Sequence, residues 1–146
     1  MSKEIKPEQV PWMMPHLTVK DVDTSMAFYE SAFHFTRGMK LPGDNGKTEY
    51  ADMGYQGKTL FMFGREGAYG NTCLAPATSY NEVPINLYVY CDDVDALFEH
   101  AKLQGAEAVA DPEDMFRGDR MAQLKDPDGY RWSFATKVRD FVPPAT

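Results

Sequence analysis

The chain has 146 residues, 43% of them hydrophobic and 25% charged, the balance of one globular domain with a packed core rather than of a disordered chain. Its net charge of −7, from 15 basic and 22 acidic residues, repels phosphate backbones and argues against a nucleic-acid partner. No apolar run approaches the ~20 residues of a membrane span, and the charged start MSKEIKPEQVPW has no signal-peptide centre, so the expectation is a cytoplasmic protein with no membrane partner.

The first predicted strand is MMPHLTV (13–19), by its alternation. Asp21 or Asp23 then caps a helix whose apolar residues Val22, Met26, Tyr29 and Phe33 form one buried stripe. GDNG (43–46) separates the strands TRGMKL and TEYADMGY, and YQGK leads into TLFMFG. The Gly/Ser/Pro-rich run GREGAYGNTCLAPATSYNEVP has no clear period and reads as a linker able to fold over a site. LYVYCDDVDALFEHAKLQGA (87–106) repeats strand and helix, with a stripe of Val94, Leu97, Phe98 and Ala101 closed by Gly105. Three further strands follow, AEAVAD, RMAQLKD and YRWSFATK. The ends MSKEIKPEQ and VPPAT read as loosely held tails. Cys73 and Cys91, without CxxC spacing, read as reduced thiols.

Two landmarks recur at one spacing. Asp21-Val22-Asp23 falls on Asp93-Val94-Asp95, and Gly57 falls on Gly129, both at an offset of 72. The chain therefore reads as a single α+β domain of two β-α-β-β-β modules. Module 1 covers about 12–64, a linker about 65–82, module 2 about 83–138 and a C-terminal tail 139–146.

LTVKDVDTSMAFYESAFHF, VYCDDVDALFEHAKLQGAE and DPEDMFRGDRMAQLKDPDGYRWSFATK together resemble the vicinal-oxygen-chelate superfamily of glyoxalases, bleomycin-resistance proteins and dioxygenases. The GDR turn, the DPDG turn and the aromatic–Ser–aromatic strand resemble its PhnB-like subgroup. The resemblance implies tandem βαβββ modules forming a curled mixed sheet around a cleft, with helices outside, in a homodimer. It also implies a metal site at four inward positions, which fall here on Met14, Phe61, Asn86 and Ser133. A thioether, a phenyl ring, an amide and a hydroxyl do not suit a divalent ion, so no metal and no other cofactor is expected.

His16 shares the face of Met14 by strand alternation and reads as a cleft-wall residue, a displaced ligand or a general base. His34 and His100 read as surface or cap residues. With Tyr88 and Tyr90 on the face of Asn86, Phe63 on that of Phe61, and Arg131 on that of Ser133, the expected ligand-binding lining is aromatic and apolar with a few polar groups. It suits a small hydrophobic or aromatic molecule. Asp119 and Arg120 read as a structural ion pair, or Arg120 as an anion contact at the cleft mouth. Two functions follow. One is metal-free binding or sequestration of such a molecule, as in antibiotic resistance. The other is a metal-dependent lyase, isomerase or dioxygenase that uses His16 and a carboxylate such as Glu49 in another register.

Overall fold

Two aspartates start the two long helices. Asp21 and Asp93 are both extended, and each accepts from a backbone N–H of the first turn, Thr24 N at 2.9 Å and Ala96 N at 3.1 Å. The repeat seen in the sequence is thus a repeated cap. The computed structural model describes residues 4–43 and 45–145. Module 1 runs β1 (His16–Val19), α1 (Val22–Phe33), β2 (Thr36–Pro42), β3 (Thr48–Tyr55) and β4 (Lys58–Arg65). After a 3-10 turn at Ala68–Gly70 and a short helix α2 (Pro76–Ser79), module 2 runs β5 (Asn86–Tyr90), α3 (Val94–Leu103), β6 (Glu107–Asp114), β7 (Asp119–Lys125) and β8 (Arg131–Lys137).

The expected α+β tandem architecture is present, drawn as two four-stranded sheets rather than one continuous sheet. Their orders are β1-β4-β3-β2 and β5-β8-β7-β6. In each, the first strand lies parallel to the last and the other pairs are antiparallel, so both sheets are mixed. The stripe of α1 is fully buried, and its rings reach both sheets: Tyr29 lies 5.0 Å from Phe61 and 5.6 Å from Trp132, and Phe33 lies 4.7 Å from Phe134. One aromatic core therefore joins the modules.

The DPDG loop does more than turn the chain. The Asp126 carboxylate accepts four hydrogen bonds, from Tyr29 Oη (2.7 Å), Trp132 Nε1 (2.8 Å), Asp128 N (3.0 Å) and Tyr130 N (3.0 Å). Asp128 accepts from Ser25 Oγ at 2.5 Å and Lys20 N at 2.9 Å, at the start of α1. The Tyr130 hydroxyl donates to Thr18 O and accepts from Thr18 N on β1. A loop of module 2 thus closes on the first helix and strand of module 1.

The chain just after β8 is tied down. Val138 N and Arg139 N both donate to Gly118 O, and the Arg139 guanidinium donates to the Met115 and Phe116 carbonyls. Gly118 has φ +96°, and a methyl group there would run into the Arg139 carbonyl. Gly118→Ala should cost about 1–3 kcal/mol in strain and release the tail. The check is hydrogen exchange at the Val138 and Arg139 amides, which should speed up in the variant; unchanged exchange would mean that the tail is held elsewhere.

Candidate functional site

Strand pairing fixes which side chains share the face turned away from the helices. In module 2, Tyr88 pairs with Ser133 and Tyr90 with Ala135, while Gln123 and Met121 stand beside them on β7. Gln123 Nε2 donates to Ser133 Oγ at 3.1 Å. Asn86 and Arg131 continue the row. Arg131 is committed to Glu82, Nη2 to Oε2 at 2.7 Å, and its buried Nε has no partner among the described residues.

Phe61 and Phe63 are a correction. They are buried at 1% and 0% exposure and pack on Tyr29, inside the shared core and not on the open face. His16 pairs with Met62, as Tyr88 pairs with Ser133, so Met62 is the true counterpart of Ser133. The reason is a bulge. Thr59 to Phe61 of β4 stand opposite Gly54 and Met53, so Leu60 is one residue more than β3 supplies, whereas β8 pairs with β7 without a break. A single residue of register exchanges the two faces of a strand.

The same alternation corrects the Asp119–Arg120 pair. Arg120 turns to the helix side, where it binds Asp95 of α3 at 2.7 Å and Asp114 at 3.1 Å. Asp119 turns to the open face and accepts from both tyrosine hydroxyls at one oxygen, Oδ2, from Tyr88 at 2.7 Å and Tyr90 at 2.8 Å. Burial, followed by the bond to Asp119, pushes the Tyr88 hydroxyl well above the usual tyrosine range. For Tyr90 the bond to Asp119 is the larger cause of a shift in the same direction. Both phenols therefore stay protonated donors.

Around this trio lies a concavity of about 570 Å³, walled by Met115, Phe116 and Arg117 of the β6–β7 turn, Met121 of β7 and Phe141 of the docked tail. Its rings are exposed, Tyr88 at 48% and Phe116 at 76%. Sequence reasoning found the tyrosines but missed Asp119 as their partner and the wall from Met115, Phe116 and Phe141. The alternation of DRMAQ carried a signal for Asp119, since it places Asp119, Met121 and Gln123 on one face. Nothing in the sequence brings Phe141 back over β7.

Met14 and His16 lie elsewhere, in an apolar groove of about 370 Å³ shared with Ile85, Leu87 and Tyr130. The His16 ring stands 6.1 Å from Tyr50. Glu49, the carboxylate considered as its metal partner, is on the other face of β3 with Ala51 and is held by Arg65 at 2.7 Å. The structure therefore separates that pair. His34, left-handed at the C-cap of α1, stacks on His100 at 4.6 Å. Among the described residues no three His, Cys, Asp or Glu side chains gather as metal ligands, and no helix is long and apolar enough to cross a membrane.

The solved structure of TioX from Micromonospora sp. ML1 is similar in fold, with a TM-score of 0.68 and 24% identity over 86% of this chain and 98% of that one. So is a glyoxalase/bleomycin resistance protein/dioxygenase family enzyme of Burkholderia phytofirmans PsJN, with a TM-score of 0.66 and 18% identity over 86% and 97%. An uncharacterized protein of Mycobacterium bovis is 33% identical over 131 residues, 89% of this chain and 86% of its own length. Residues 9–134 match the sequence model of the glyoxalase/bleomycin resistance protein/dioxygenase superfamily. With the tandem βαβββ modules, these matches place the chain in that superfamily, to which it belongs.

Proposed function

We propose that this chain is a member of its superfamily that works without the family's metal and binds or sequesters a small hydrophobic or aromatic molecule on the open face of module 2. The observation that carries the reading is the pocket of Tyr88, Tyr90 and Phe116 with one carboxylate in it. Flat rings bind by stacking on such walls, and a single polar group orients them. The four inherited metal positions, with Met62 in place of Phe61, offer two thioethers, an amide and a hydroxyl. Hard or borderline divalent ions prefer imidazole and carboxylate. Asn86 and Arg131 would then serve as polar contacts beside the rings, with Ser133, 1% exposed and bonded by Gln123, beneath them, and Met14 and His16 as a separate wall.

The finer assignments belong to the same proposal. The run GDR–DPDG–RWSFA supports the PhnB-like subgroup. Sequestration of an antibiotic needs a shaped pocket and no catalytic group. A homodimer would cover exposed apolar side chains such as Met13, Met39 and Ile85, and the chain's composition suits the cytoplasm.

Elemental analysis after incubation with Zn²⁺, Ni²⁺, Mn²⁺ and Fe²⁺ tests the metal-free reading. The expected result is no stoichiometric ion. One ion per chain, lost in His16→Ala, would overturn it in favour of a metal-dependent enzyme.

A further inference from the structure

Resting on that reading, we propose that the pocket at Tyr88 and Tyr90 selects a small aromatic cation, an ammonium borne on a flat ring, whose charge lies against Asp119. Asp119 makes no ion pair among the described residues, because its neighbour Arg120 is spent on Asp95 and Asp114 across the strand. Its only side-chain partners there are two phenol hydroxyls, both on Oδ2, and Oδ1 receives no hydrogen bond. Neutral donors orient a carboxylate without cancelling its charge. An anionic group thus stands unmatched inside an aromatic concavity, the arrangement in which a cation gains both from the carboxylate and from the ring faces.

The molecule shows that these rings accept a cation. The Arg117 guanidinium lies 5.9 Å from the ring centres of both Phe116 and Phe141. Arg117 forms the rim of the same concavity, so its charge competes with an incoming ammonium. The net charge of −7 acts in the other direction and draws cations toward the surface.

Three probes with one ring and different charges test the assignment: 2-naphthylmethyl-trimethylammonium, 2-naphthylmethanol and 2-naphthylacetate, titrated into the full chain and followed by naphthalene fluorescence. The cation should bind about tenfold tighter than the neutral alcohol, and the anion weakest. Asp119→Asn should remove the cation's advantage while leaving the alcohol's affinity in place. Arg117→Gln, a rim change that breaks no ion pair among the described residues, should tighten cation binding about threefold; it decides the matter even where Asp119→Asn fails to fold. Equal binding of cation and alcohol, tightest binding of the anion, or an unchanged preference in Asp119→Asn would overturn the charge assignment and leave the aromatic pocket standing. Failure of all three probes to bind would overturn both.

Discussion

Asp126→Ala will be among the most destabilising single substitutions in the chain, at about 3 kcal/mol or more, because it strips three buried donors and a partly buried one of their acceptor at once. The loss falls on the contact between modules. Tyr29 of α1 and Trp132 of β8 share this carboxylate, so both modules should unfold in one transition even as its midpoint drops. The pH dependence follows from the same burial. Desolvation raises the Asp126 carboxyl to about 6, with the donors from Tyr29, Trp132 and Tyr130 acting in the opposite direction. A folded-state value above the unfolded one means that the native chain holds this proton more tightly. The group's contribution to stability is therefore full below about pH 4 and is lost as pH rises through about 6. The penalty of Asp126→Ala should accordingly be larger at pH 4 than at pH 7.5. Urea unfolding of both proteins at the two pH values checks this; an equal penalty would mean that folding leaves the carboxyl's hold on its proton unchanged.

Phe61→Ala should cost about 3–5 kcal/mol, the range for removing a fully buried ring from a packed core. Phe61 touches Tyr29, Phe35, Phe63 and Trp132, rings from both modules that have little room to collapse into the space left behind. A residue lining an open pocket behaves otherwise. Tyr88→Ala, at a half-exposed position, should change stability by less than about 1 kcal/mol while weakening the binding of aromatic probes. Thermal melts and fluorescence titrations on the two variants separate the roles. A nearly neutral Phe61→Ala would return Phe61 to the binding face.

The contrast shows what the sequence made legible. Both helices, their capping aspartates, the buried stripes and the hairpin glycines were readable, because each rests on local chemistry with a short period. The faces of β5 and β8 were readable for the same reason, and Tyr88, Tyr90, Asn86, Arg131 and Ser133 stand as alternation predicts. The face of β4 was lost, because the offset of 72 carried Ser133 onto Phe61 across a bulge at Leu60 that β8 lacks. Asp119 was read toward its neighbour Arg120, although adjacent strand residues point apart. The two DPDG carboxylates read as turn residues, whereas Asp126 and Asp128 also reach Tyr29 and Ser25, about 100 positions away. Contacts at that separation follow from how the modules pack and leave no local pattern.

The central claim is that an aromatic molecule, not a metal ion, is held, and that it sits over Tyr88 and Tyr90. Backbone amide NMR shifts of the labelled chain during titration with 2-naphthylmethanol test it most directly. The account predicts saturable changes, at or below about millimolar ligand (~4 kcal/mol), confined to Tyr88, Tyr90, Phe116, Asp119 and their strand neighbours, and no stoichiometric response around His16 and Met62 on adding Zn²⁺. Silence at β5 and β7, together with a one-to-one Zn²⁺ response at His16, would contradict it.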